Sequence, residues 1–240
     1  MRTKMPLLNI EQLNKSFHLH QFGGKQIVGC SGINLTLDHG EFIGITGKSG
    51  AGKSTILKCI YRTYIPTSGS MYYESDSYGT IDLARAGERE MIEIRQKEIG
   101  YVSQFLKLLP RVTAQDAVIQ ELVATGCPKE RAEGEARSML RHFGLAESLW
   151  DTYPNTFSGG EKLRLNLAAA MVKRPKFLLL DEPTASLDNG SKEAVRDMIL
   201  DLKRQGTSMM GIFHDLEFME KVVDQEFSMQ SGSITGGRTA

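Results

Sequence analysis

Cysteine is scarce in this chain: Cys30, Cys59 and Cys127 are its only three, and none stands in C-x-x-C spacing. That excludes a disulfide framework or a thiolate metal cluster, and an odd, scattered set suits a reducing compartment. Cys59 falls on the apolar side of a helical stretch, so it reads as a buried thiol rather than a ligand or nucleophile. An excess of charge of one sign is missing too. Lys+Arg and Asp+Glu both number 29, so nothing pulls the chain toward nucleic acid or an anionic membrane. No run approaches the roughly 18 consecutive apolar residues of a membrane span. Met1-Arg2-Thr3-Lys4-Met5-Pro6 leads into no apolar stretch of signal-peptide type. Repeats and low-complexity segments are absent. The expectation is a cytoplasmic chain without nucleic-acid partner and without membrane insertion of its own. At 240 residues it has length for one large domain or two small ones, and for a sizeable core.

What is present centres on Gly47-Lys48-Ser49-Gly50-Ala51-Gly52-Lys53-Ser54-Thr55, which fits the phosphate-cradling pattern G-x-x-x-x-G-K-[ST]. The apolar stretch Glu41–Thr46 before it is of strand type, and Thr55–Tyr61 after it carries apolar residues at helical spacing. Strand, glycine loop and helix are the context this pattern needs. Gly47 and Gly52 let the backbone turn so that N–H groups converge on an anion. The helix adds its positive end. Lys53 would reach the β- and γ-phosphates, and the Ser54 hydroxyl would hold Mg²⁺. A glycine-rich turn with a chance lysine is the plain alternative, and the flanks argue against it. The chain is expected to bind a nucleoside triphosphate.

Residues 7–17 and Ile33–Leu37 alternate as strands, with a turn at Gly23-Gly24 between them. Ser70–Tyr73 and Thr80–Leu83 suggest a hairpin, 84–97 a helix and Ile99–Val102 a strand. From about 105 to 170 the pattern is helical: Thr113 caps a run to Ala124, Pro128 opens a helix through His142, and a third begins near Gly159. Phe177–Leu180 is fully apolar, as in a buried parallel strand. A helix near 190–204, the strand Ser208–Phe213, another helix and a strand near 225–230 follow. The tail from Ser231 reads as loose.

Asp181 and Glu182 stand where that apolar strand emerges. An acid at such a strand end can hold Mg²⁺ beside a glycine loop, which suits Asp181. Glu182 would then face the γ-phosphate and orient or deprotonate the attacking water. A lone Asp-Glu is most often a solvated turn; the glycine loop gives this one a partner. His18 and His20 share a strand face, but two histidines without further ligands are more often surface residues than a metal site.

Phe157-Ser158-Gly159-Gly160-Glu161 stands 23 residues before Asp181 (181 − 158), at the start of a predicted helix. It resembles the signature motif of ABC ATPases. Ser186-Leu187-Asp188 resembles the family's D-loop, Gln104 its Q-loop, and His214, 32 residues past Glu182 (214 − 182), its switch histidine. The motifs stand in the family's order over nearly the whole chain. The resemblance implies a single ABC ATPase domain with an α/β P-loop fold and a mixed, largely parallel core sheet. It further implies an N-terminal antiparallel β subdomain, a RecA-like core over 1–104 and 171–230, an inserted helical subdomain over 105–170, and a flexible tail at 231–240. It implies ATP and Mg²⁺ at a head-to-tail dimer interface, in a homodimer or with a related ABC subunit. Ser158, Gly159, Gly160 and Glu161 of one copy would close on the γ-phosphate held by Lys53 and Asp181 of the other. Gln104 would link the metal, alongside Ser54 and Asp181, to the helical subdomain. His214 would brace the γ-phosphate, Asp188 would lie at the interface, and Phe17 would stack on adenine. Ala169 stands where many members have Arg, so altered interdomain pairing is expected, with Arg164 retained.

Most members of the family drive transporters. Several runs instead resemble the ATP-binding component of the bacterial carbon–phosphorus lyase machinery, the PhnL group: Val102–Leu106, Leu149-Trp150-Asp151, Asn155–Glu161 and Gly211–Asp215. Phe157 and Glu161 in the signature, and Phe213 before His214, follow that group. This resemblance implies soluble carbon–phosphorus lyase core subunits as partners. It also implies support for the step that attaches a phosphonate to the ribose of a nucleoside triphosphate, giving ribose 1-phosphonate 5-triphosphate. The alternatives are the ATPase of an exporter or lipoprotein-release transporter, whose relatives share the Leu108-Leu109-Pro110 region, and an ATP-dependent clamp with little turnover. Glu182 argues against the clamp, which needs no water-activating acid.

Overall fold

Three short strands with nothing but buried positions form the centre of the molecule: β3 (Phe42–Thr46), β7 (Phe177–Asp181) and β8 (Ser208–Ile212). A strand buried on both faces belongs inside a parallel sheet, and these three lie side by side, β3 next to β8 and β8 next to β7, all parallel. The computed structural model describes residues 5–19, 25–103, 111–185 and 187–239. Within them, β6 (Ile99–Val102) extends the sheet beyond β7, and β9 (Gln225–Gln230) and β10 (Ser233–Thr239) extend it beyond β3. Five strands run parallel, and β10 pairs antiparallel with β9 at the edge.

Alternation along β7 divides the interior. Phe177 and Leu179 join a core with Ile43, Ile45, Met210 and the buried face of α1 (Lys53–Ile60). Leu178 and Leu180 point the other way, into a core with Phe42, Met209 and Phe213. The first core is closed by a second sheet of order β2-β1-β4-β5, antiparallel throughout. Its strands are β1 (Leu8–Leu19), β2 (Lys25–Leu37), β4 (Ser68–Ser75) and β5 (Gly79–Asp82). The expected antiparallel start and the hairpin are both present; Gly23-Gly24 lies outside the described residues.

Helices cover the second core. Thr113 caps α3 (Ala114–Ala124) by accepting from the Asp116 amide, and Pro128 precedes α4 (Lys129–His142). Next come α5 (Gly159–Met171), α6 (Asn189–Arg204) and the short α7 (Leu216–Glu220). The helix expected over 84–97 begins later, as α2 (Glu88–Lys97). Gly87 takes the N-cap position, with the Glu90 carboxylate accepting its amide. Ala84 to Ala86 instead fold back on Asp82, whose carboxylate accepts the Ala84 amide.

The tail departs from expectation. Residues 233–239 are not loose but form β10, paired from Ser233↔Gln230 to Thr239↔Gln225 with a one-residue shift between Ile234 and Gly236. The reason lies in the two residues before it. Ser231 and Gly232 both have positive φ, 49° and 86°, the pairing a two-residue hairpin turn requires. The returning strand then pairs the otherwise open edge of β9. Gly236 and Gly237 hid the strand, because they carry no side-chain pattern although both pair with β9.

Candidate functional site

The glycine loop joins β3 to α1 and sits between fixed pieces of backbone. A side chain at Gly47 would run into the Met229 carbonyl, and one at Gly52 into the Gly29 carbonyl. Both residues also have positive φ, 138° and 101°, so glycine is the residue that fits. Lys48, Ser49 and Gly50 are exposed at the crest, whereas Lys53 is buried. The Lys53 ammonium donates to the carbonyls of Gly47 (2.7 Å) and Lys48 (3.1 Å). Burial pushes its pKa down, while Glu182 and Asp181 pull it up. A buried cation under a glycine loop at a helix start is complementary to a polyanion.

Asp181, at the end of β7, is buried and lies beside the loop. Its carboxylate accepts from the Ser54 hydroxyl at 2.9 Å and from the Tyr101 hydroxyl at 3.1 Å. Burial raises its pKa, and these two hydrogen bonds oppose the rise. A hydroxyl and a carboxylate, both hard oxygen donors in contact, fit Mg²⁺. Tyr101 was not foreseen from sequence. It sits on β6, one strand across from β7, and stacks on Tyr61 with ring centroids 4.9 Å apart. The available signal was a tyrosine in an otherwise apolar strand.

The raised Asp181 pKa has a consequence for stability. An acid with a raised folded-state pKa contributes stability that is full below its unfolded pKa and lost as pH rises through the folded one. At neutral pH the ionised carboxylate is therefore a net cost to the free protein. Asp181→Asn should unfold at or above the parent temperature, by about 2–4 °C per kcal/mol removed, while losing Mg²⁺-dependent ATP binding. Differential scanning fluorimetry with and without Mg²⁺-ATP checks both halves.

Glu182 follows in an unusual backbone state, with φ of 58°. Left-handed φ at a non-glycine residue stores strain and is concentrated at functional sites. Its amide donates to the Ile212 carbonyl (3.1 Å), and its carboxylate lies 2.9 Å from the His214 ring nitrogen Nε2. Two residues 32 apart in sequence meet because β7 and β8 are neighbours in register. Both line a cleft over the loop, together with Ser49 to Thr55, Ile27 to Gly29, and Phe17. The Phe17 ring packs edge-on against Tyr64 at 5.1 Å, and the Lys15 ammonium lies 5.0 Å from its centroid. Phe17 thus stands at the cleft wall, with its ring packed against Tyr64.

The signature residues are elsewhere. Ser158 caps α5, its hydroxyl accepting the Glu161 amide while the Glu161 carboxylate accepts the Ser158 amide at 2.7 Å. Those hydrogen bonds hold the Glu161 pKa below the usual carboxylate range. Ser158 and Gly159 are exposed, and neither they nor Gly160 lines the cleft over the loop of the same chain. Asp188 caps α6 through the Ser191 amide, and Arg164 reaches both Ser191 (2.9 Å) and Asp188 (3.5 Å), tying α5 to that cap. Ala169 borders a cavity lined by Tyr61, Tyr101, Asn166 and Lys173. Gln104, Leu108 to Pro110, Ser186 and His20 lie outside the described residues. His18 is exposed, and no cluster of three or more His, Cys, Asp or Glu side chains able to hold a metal occurs among the described residues. Nor is any helix among them long and apolar enough to cross a membrane.

A family model described as ABC transporter matches residues 30–185. Over 229 residues the chain is 35% identical to the lipoprotein-releasing system ATP-binding protein LolD of Bacteroides fragilis (strain YCH46), covering 95% of this chain and 100% of that protein. It is 34% identical over 228 residues to the uncharacterized ABC transporter ATP-binding protein YvrO of Bacillus subtilis (strain 168), covering 95% of each. Its fold matches the ATP-binding cassette MJ0796, a dimer in a post-hydrolysis state bound to ADP and Pi. The TM-score is 0.87 and the identity 26%, over 97% of this chain and 98% of that one. By sequence along nearly its whole length and by the fold it adopts, the chain belongs to the ABC transporter family.

Proposed function

We propose that this chain hydrolyses ATP as one half of a head-to-tail dimer, and that closing and opening of the dimer drives the membrane subunits of a transporter. The observation that carries this is the division of the site. Ser49 to Thr55 of the phosphate loop, Glu182 and His214 line one cleft, with Asp181 buried behind Ser54, while Ser158 to Gly160 lie outside it on an exposed helix start. A second copy, turned head to tail, would bring that helix start to the γ-phosphate, where two glycines permit close approach to an anion. The cassette MJ0796, a dimer with ADP and Pi, supports a dimer as the working form.

In this reading Lys53 leaves its two loop carbonyls to pair with the β- and γ-phosphates. Ser54 and Asp181, with Gln104, would hold Mg²⁺, which when bound neutralises charge on the phosphate oxygens. Glu182 accepts a proton from water as the water oxygen bonds to the γ-phosphorus. The bond from that phosphorus to the β–γ bridging oxygen breaks, and ADP leaves with the electron pair. His214, in contact with the Glu182 carboxylate, holds it in place.

LolD and YvrO bear the names of transporter ATP-binding proteins, which favours membrane subunits as partners. A second reading, service to a soluble carbon–phosphorus lyase complex, rests on the runs around Ser103, Trp150 and His214. The relatives named here lend it nothing. Phe157 and Phe213, which helped to suggest it, are buried in the core, so packing alone explains their size.

Affinity purification of the tagged Glu182→Gln chain with ATP, from its native cells grown on a phosphonate as sole phosphorus source, separates the two. A polytopic membrane protein recovered with it supports the transporter. Soluble carbon–phosphorus lyase subunits recovered instead would overturn it.

A further inference from the structure

The turn between β9 and β10 does more than end the sheet. Its Gly232 amide donates to the Ala51 carbonyl in the glycine loop at 3.0 Å, and its own carbonyl accepts the Ser31 amide from β2 at 2.8 Å. The hydroxyl of Ser233 adds a bond to the Ser31 carbonyl at 3.2 Å. Two residues before the turn, Met229 is buried, and its backbone and side chain flank Gly47 and Gly52. The hairpin therefore touches the loop at Gly47, Ala51 and Gly52.

The Ala51 contact has a directional effect. A trans peptide plane fixes its C=O and the following N–H in opposite directions. Holding the Ala51 carbonyl on Gly232 therefore aims the Gly52 amide away from the Gly232 amide. Without that bond the plane between Ala51 and Gly52 has glycine freedom on one side and can rotate.

We propose that the β9–β10 turn is a positioning element for phosphate binding, in which the Gly232 amide fixes the peptide that presents the Gly52 amide to ATP. This rests on reading Gly47–Thr55 as a phosphate loop. Gly232 is suited to the task because its φ of 86° favours glycine. A side chain there would meet Val28 only at ordinary contact distance, 3.4 Å.

The test compares Gly232→Pro, which removes the N–H and cannot adopt positive φ, with Gly232→Asn, which keeps the N–H and tolerates left-handed backbone. Isothermal titration with Mg²⁺-ATP, steady-state kinetics and thermal unfolding are measured on the full chain. Gly232→Pro is expected to raise both Kd and KM for ATP by about tenfold, or 1.4 kcal/mol, with kcat within about twofold. Gly232→Asn should recover the parent Kd within about twofold. If Gly232→Pro does not fold, replacing the Gly232 N–H by an ester oxygen (glycolate at this position), which keeps the glycine backbone freedom but cannot donate, should give the same tenfold rise, and parent-like affinity in it would overturn the proposal. Parent-like ATP affinity in Gly232→Pro, or an equal loss in the proline and asparagine variants, would overturn the proposal. An unsubstituted chain that takes up no ATP would overturn the phosphate-loop reading as well, which sets the two failures apart.

Discussion

Replacing Glu182 by glutamine is expected to leave ATP affinity near that of the parent and to cut hydrolysis by about 10²- to 10⁴-fold, the usual contribution of a general base. Glutamine keeps the size and the acceptor oxygen facing His214 but cannot take a proton. The change therefore isolates proton transfer from shape. Position also matters: the Glu182 amide donates a hydrogen bond to the Ile212 carbonyl, in a backbone state that few side chains adopt, so the carboxylate is placed rather than free to roam. Single-turnover hydrolysis of radiolabelled ATP reads the step directly. A Glu182→Gln chain that hydrolyses at the parent rate would show that another group activates the water.

Lys53→Ala should fail one step earlier, with ATP affinity down about 100-fold or more, equivalent to roughly 2.7 kcal/mol. Lys53 is the buried cation of the loop, and its present partners are two neutral carbonyls. Exchanging them for phosphate oxygens converts ordinary hydrogen bonds into charge-assisted ones. Alanine also leaves the Gly47 carbonyl without this donor, while the Lys48 carbonyl keeps the Ala51 amide. The measurement is equilibrium binding of ATP, with circular dichroism to establish that the variant is folded. Intact affinity in a folded Lys53→Ala chain would sink the phosphate-cradle reading.

Much of this was legible in the residues because the informative signals were local. The fully apolar run Phe177–Leu180 could be nothing but a buried strand once its length was considered, and Thr113 and Ser158 are caps whose partners lie three residues on. The glycine loop was readable for the same reason: strand, turn and helix are contiguous. What escaped depended on neighbours far apart in sequence. Tyr101 meets Asp181 only because β6 pairs with β7, and no periodicity announces that. The tail was misread because Gly236 and Gly237 carry no pattern, while the strand they belong to is held by backbone bonds to β9. The contact of Gly232 with Ala51 spans most of the chain and has no sequence signature beyond a Ser-Gly turn. The division of the site between copies was implied only by the family's motifs.

The most direct test is the mass of the Glu182→Gln chain in solution, by size-exclusion chromatography with light scattering. One chain weighs 26.7 kDa. With Mg²⁺-ATP the species should have about twice that mass and return to the single-chain mass with ADP, since a sandwich needs the γ-phosphate to hold its two faces together. A chain that binds ATP yet keeps the single-chain mass with either nucleotide would contradict a site shared between two copies.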